Sequence, residues 1–208
     1  MEEDATLDKY QYLFDCEYVD HKDLRLTVEA TTSITPYKLA KHQSKDIVEE
    51  FYSIYGRYPS SIIDATANVG GNTLAFASYY KRVYAFEIKA KTAEYLRQNL
   101  KLYNKNNVRV LCGNFVHYIN YANLVQSDII FIDPPWYVDG VFNDDMALTC
   151  TKKYYAPSLA EVIWRIFQSR KMMICVKLPL DYVPRLKPCI TFNYRKIKVV
   201  VYHQITQW

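Results

Sequence analysis

Asp133-Pro134-Pro135-Trp136 sets a carboxylate, two prolines and an indole side by side. Consecutive prolines donate no backbone hydrogen bond and fix φ, so a strand that reaches them must leave the sheet with its carbonyls directed outward. The Asp133 carboxylate and the Pro134 carbonyl can then accept the two hydrogens of an exocyclic amine, while Trp136 stacks on the ring that carries it. Such an amine is a weak nucleophile, because its lone pair is delocalised into the ring. Two acceptors pin it and favour pyramidalisation. Alkylation by a sulfonium donor is already downhill, so positioning and electrostatics would supply most of the catalysis.

A second constellation runs Asp64-Ala65-Thr66-Ala67-Asn68-Val69-Gly70-Gly71-Asn72-Thr73. It follows an apolar run and opens a helix, the place where open α/β sheets bind cofactors, and Gly70 and Gly71 allow backbone to approach a ligand. The spacing is not GxGxxG, and the strand ends in a carboxylate, which suits a cationic amino-acid group better than a pyrophosphate. S-adenosylmethionine has that group and no phosphate. We therefore expect Asp64, Thr66, Ala67, Gly70, Asn72 and Thr73 to hold this cofactor, with Asp133 reaching it from the acceptor side. Glu87, about 20 residues beyond the glycines, is placed to accept the ribose hydroxyls. Asn114 can hydrogen-bond the adenine, and Phe115 either stacks on it or belongs to the core.

The elements that must position these residues alternate. Residues 61–65, 82–88, 108–112 and 128–132 are short apolar runs that predict buried strands. Helical stretches separate them at 73–80, 90–102 and 115–124. A Pro-bounded helix is expected over 158–169, then a strand over 172–177, then runs at 189–194 and 197–204 that are too close for a helix between them and must form a hairpin. Pro36 is placed to start a helix ending before Gly56, with Lys38 in its first turn. The fold class expected is α/β: a class I methyltransferase, Rossmann-like seven-stranded sheet, parallel with a C-terminal antiparallel hairpin, plus a small N-terminal helical extension.

Charge and cysteine usage narrow the partners. The chain of 208 residues carries +4, but residues 1–23 carry −6, leaving +10 on the remainder, which is compatible with a phosphate-bearing partner. A few of the 20 tyrosines could stack on bases, although most are expected at core rims. Five cysteines form no CxxC pair and do not cluster with the histidines, so neither metal nor disulfide is expected, and Cys112 and Cys175 read as small core residues. No apolar run approaches the ~18 residues of a membrane span, and the N-terminus has no leader pattern. A soluble, intracellular protein, monomeric and without membrane contact, is the expectation.

Taken together the residues resemble the trimethylguanosine synthases, which methylate the exocyclic amine of 7-methylguanosine in an RNA cap. Ser33-Ile34-Thr35-Pro36-Tyr37-Lys38-Leu39-Ala40-Lys41-His42 is similar to that family's aromatic-S-V-T-P-E-K-I-A-E-H segment, and residues 64–73 resemble its D-A-F-C-G-V-G-G-N-T loop. The similarity covers roughly residues 10–205 and includes Leu178-Pro179 and the closing hairpin. It implies that Trp136 stacks on the cationic base, that Lys38 meets the cap phosphates, and that Tyr137 and Lys177 also face substrate. Capped RNA is then the partner. Residues 1–34 would be an extension closing over the active site of a methyltransferase domain spanning 35–208. Three departures stand out: Asp133 replaces a serine, Asn114 an aspartate, and Pro179-Leu180-Asp181 a Pro-Arg-Asn. Lys177, Lys152 and Lys153 are candidates to replace the lost arginine. An aspartate at the first position is typical of adenine-N6 and ribosomal RNA guanine-N2 methylases, which remain alternatives. So does an inactive methyltransferase fold serving as an RNA-binding subunit, against which the intact motifs stand.

Overall fold

A computed structural model describes residues 4–5, 9–17, 19–119, 127–149, 156–169 and 172–204. The strands form a seven-stranded sheet in the order β3-β2-β1-β4-β7-β9-β8, with a separate two-stranded ribbon of β5 and β6. Two compact units, Met1–Phe115 and Val116–Trp208, divide the chain. No described helix is long and apolar enough to cross a membrane.

In the first unit β1 (Ser61–Asp64), β2 (Arg82–Glu87) and β3 (Val108–Cys112) run parallel. The expected burial of all three fails at β3, whose residues Arg109 and Cys112 are exposed. β3 is the edge strand, so one side of its apolar run faces water, and Cys112 is not a core residue. Helix α2 (Tyr37–Tyr55) follows Pro36 as expected and stops where Gly56 turns left-handed, φ 66°, with its N–H donating to the Tyr52 carbonyl at 2.9 Å. Its buried stripe is Ala40, Gln43, Ser44, Ile47 and Phe51, the spacing of a single helix face. Helices α3 (Gly71–Tyr79) and α4 (Ala90–Leu102) alternate with the strands.

The residues before α2 are mostly irregular, with 3-10 turns at Gln11–Leu13 and His21–Asp23 and a single turn, α1 (Ala30–Ser33). They are nonetheless core. Leu13, Phe14, Leu24, Leu26, Ala30 and Ile34 are buried in one cluster with Val69, Leu74, Leu96 and Leu100. Polar ties reinforce the seam. Asn99 accepts from the Arg25 N–H at 2.8 Å and donates to the carbonyls of Arg25 (3.0 Å) and Val69 (2.9 Å), so one buried carboxamide joins the segment, α4 and the loop after β1. Tyr37 hydrogen-bonds Asp15, and burial first, then that bond, pushes its hydroxyl well above the usual tyrosine range.

In the second unit β4 (Ile129–Ile132) pairs parallel with β7 (Met173–Pro179), which pairs antiparallel with β9 (Ile197–Tyr202), and β9 with β8 (Ile190–Asn193). Helix α6 (Leu159–Ser169) opens with a reciprocal cap, the Ser158 N–H donating to Glu161 Oε2 at 2.8 Å and the Glu161 N–H to Ser158 Oγ at 3.3 Å. Of the helix expected over 115–124, α5 (Phe115–Tyr118) is present, and residues 120–126 lie outside the described residues.

Candidate active site

The first unit gathers nine of the expected cofactor residues at the carboxyl ends of β1, β2 and β3. Asp64 ends β1 fully buried; its Oδ2 accepts from the Thr73 hydroxyl at 2.7 Å and its Oδ1 from the Thr66 N–H at 3.3 Å. The carboxylate therefore fastens the first turn of α3 to the strand. The loop between is wound tightly: Asn68 and Gly70 have φ of 50° and 114°, and the Ala67 N–H donates to the Phe86 carbonyl at 2.8 Å. Glu87 Oε2 accepts from the Asn68 N–H at 3.0 Å and Oε1 from the Lys89 N–H at 2.8 Å. A carboxylate offers about four lone-pair directions, so ribose hydroxyls can still be accepted beside these two bonds.

The two glycines differ from what the sequence suggests. A Cβ at Gly71 would lie 2.5 Å from Ile34 Cγ1 and 2.7 Å from the Thr35 carbonyl oxygen, so Gly71 makes room for the chain itself, not for a ligand. Asn68 Nδ2 also donates to Ser33 Oγ at 2.9 Å. The loop is thus backed by residues 33–35. Asn114 follows β3 at intermediate exposure, and Phe115 is 3% exposed with its ring edge-on to Phe86 at 5.3 Å. Lys38 lies exposed in the first turn of α2, whose N-terminus has no side-chain cap.

A ligand with an ammonium group fits this donor set. Asn72 Oδ1 is buried and has no hydrogen-bond partner among the described residues, and the nearest formal charge on its own loop is the Asp64 carboxylate. Acceptors without donors call for a donor-rich cation, which is what the amino-acid end of S-adenosylmethionine presents.

The second unit carries the acceptor group. The β4–β7 register sets Ile132 opposite Val176, and one residue further it brings Asp133 to Lys177. Lys177 Nζ donates to Asp133 Oδ2 at 2.6 Å, with side-chain exposures of 7% and 13%, and lies 5.5 Å from the centroid of the Trp136 ring. The expected meeting of Lys177 with substrate phosphate is replaced by this ion pair. Lys152 and Lys153, the other candidates, lie outside the described residues. Pro134 is buried, and Trp136 Nε1 is buried with no partner among the described residues.

Asn143 was not singled out by the sequence. Its Nδ2 donates to the carbonyls of Pro135 (2.7 Å) and Ala147 (3.0 Å), its Oδ1 accepts from the Ala147 N–H (3.2 Å), and its own N–H donates to the Trp136 carbonyl at 2.9 Å. It fixes the backbone that carries Trp136. The chain then forms the ribbon β5 (Tyr137–Val138) and β6 (Val141–Phe142), turning at Asp139 and Gly140 with φ of 51° and 74°. Asp-Gly between apolar residues is the signal that announces such a hairpin. Tyr137 is 65% exposed and rests edge-on against Phe142 at 5.5 Å.

Comparison with known proteins agrees with this arrangement. Residues 60–185 match a family model described as RNA cap guanine-N2 methyltransferase. An uncharacterized protein of Acanthamoeba polyphaga mimivirus is 33% identical over 121 residues, 58% of this chain and 46% of that one. A trimethylguanosine synthase of Schizosaccharomyces pombe is 29% identical over 115 residues, 53% and 45% of the two chains. The chain thus spans about half the length of the curated relatives it matches. Among solved structures, a SAM-dependent methyltransferase from Neisseria gonorrhoeae shares the fold with a TM-score of 0.56 at 17% identity, over 86% of this chain and 75% of that one.

Proposed function

The chain belongs to the RNA cap guanine-N2 methyltransferase family, and we propose that it transfers a methyl group to the exocyclic N2 amine of 7-methylguanosine in an RNA cap. It is a class I methyltransferase, and its cofactor is S-adenosylmethionine, which when bound supplies an electrophilic methyl group on a sulfonium. Asp64 and Asn72 hold the ammonium of the methionine end, and Glu87 holds the ribose. Gly70, Thr66, Ala67 and Thr73 shape the loop around them, and Asn114 and Phe115 border the adenine. Asp133 and the Pro134 carbonyl accept the hydrogens of the amine, and the carboxylate stabilises the positive charge that grows on its nitrogen. Trp136 stacks on the base, Tyr137 and Lys38 extend contact to the capped RNA, and residues 1–34 complete the wall of the pocket.

The observation that carries this reading is Asp133-Pro134-Pro135-Trp136 held at the end of β4, its indole N–H buried and unpartnered among the described residues and its backbone fixed by Asn143. Labelled methyl transfer to a 7-methylguanosine cap, compared with uncapped RNA of the same sequence, tests it. Incorporation into uncapped RNA at the same rate would move the activity to an internal adenine or guanine. Trp136→Ala is expected to abolish cap methylation while cofactor affinity, measured by titration calorimetry, changes less than about threefold, since stacking and cofactor binding use different residues. Trp136→Phe should retain part of the activity. An alanine variant that turns over like wild type would make Trp136 a packing residue.

A further inference from the structure

Lys177 is a lysine inside the buried strand β7, 6% exposed, where an ammonium is tolerated only with a partner. It has two. One is the Asp133 carboxylate at 2.6 Å, and the other is the Trp136 ring, whose centroid lies 5.5 Å from Nζ, within the range of a cation–π contact. The resemblance to trimethylguanosine synthases implies that the same ring receives the positive charge of a 7-methylguanine. Two cations cannot both use one indole to full effect. A base stacked on the same face must displace the ammonium, and a base on the opposite face meets a ring whose electron density is already drawn toward Lys177. Asp133 does not restore the preference, because its charge is matched by the lysine bonded to it. A neutral guanine loses nothing by this, since its stacking rests on burial and dispersion.

We infer that Lys177 is a specificity-determining residue that frees the acceptor site from dependence on the N7 methyl group, so that guanine caps with and without it are methylated with similar efficiency. The inference rests on the proposed cap guanine-N2 activity. A desolvated cation–π contact is worth up to about 30-fold in discrimination, and that is the factor the ammonium removes.

The test compares kcat/KM on two RNAs that differ only in the N7 methyl of the cap guanine, for wild type, Lys177→Met and the double variant Asp133→Ser with Lys177→Met. The double variant removes both charges together, so no buried ion is left alone. In wild type the two caps should differ by less than about threefold, and in both variants the preference for the N7-methylated cap should rise to about tenfold or more. Because each ratio is internal to one protein, a general loss of rate does not affect it. Where a variant is too slow, calorimetric affinities for the two cap dinucleotides, with S-adenosylhomocysteine present, should give the same ratios. A wild-type preference above about 30-fold, or a ratio unchanged in both variants, overturns the inference while leaving the cap activity in place. Wild type that methylates neither cap overturns the activity and the inference together.

Discussion

Asp133→Ala is expected to lower kcat by at least about 100-fold, the usual cost of removing one transition-state hydrogen-bond partner. The change also leaves Lys177 in a buried strand without its carboxylate. Breaking such a pair from one side costs about 3–5 kcal/mol, so the thermal midpoint should fall as well. The two losses separate in the double variant Asp133→Ala with Lys177→Met, which should recover most of the stability and none of the rate. Asp133→Ser supplies the hydroxyl found in the trimethylguanosine synthases. Near-normal turnover in that variant would show that one acceptor atom suffices, and a loss equal to that of alanine would show that the charge is required. Wild-type kcat in Asp133→Ala would remove Asp133 from the chemistry.

Deleting residues 1–34 is expected to remove cofactor binding and cap methylation together, because the segment is part of the core. It covers Val69, Leu74, Leu96 and Leu100, and it backs the glycine loop through Ile34 and the Ser33 hydroxyl. Uncovering four such side chains costs several kcal/mol at about 25 cal/mol per Å², a large share of the roughly 5–15 kcal/mol that stabilises a domain. Thermal unfolding and calorimetric titration with S-adenosylhomocysteine check both effects. Gly71→Ala is the point-mutant counterpart: its Cβ would strike Ile34 and the Thr35 backbone, so it should weaken cofactor binding with the full chain present. A truncated protein that unfolds at the wild-type temperature and binds cofactor normally would show the segment to be an appendage.

Periodicity located the elements well because β1, β2, β4 and β7 are short apolar runs bounded by turns, and 90–102 carries one apolar stripe that became α4. The glycine loop and the Asp133 motif were legible because both are local: their residues are contiguous, and each follows a strand. Lys177 was visible only as an oddity, a lysine between Val176 and Leu178. Its partner depends on strand register, which sequence spacing does not disclose. The same holds for Asn143, whose four hydrogen bonds reach across a turn, and for Leu13, Phe14, Leu24 and Leu26, which are buried from irregular chain and show no period. The ribbon β5–β6 was signalled by Asp139-Gly140 and went unread.

The carboxamide of Asn99 gives the first unit a property of its own in amide exchange. It ties the Arg25 N–H and the Val69 carbonyl to one side chain, across 74 and 30 residues of sequence. Residues 4–34 and the glycine loop therefore open as one cooperative unit, with a free energy below that of global unfolding because few regular elements hold the segment. The Arg25 and Ala67 amides then exchange through the same opening. A ligand gripped by the loop raises the cost of that opening, and it slows exchange at Arg25, a residue it does not need to touch.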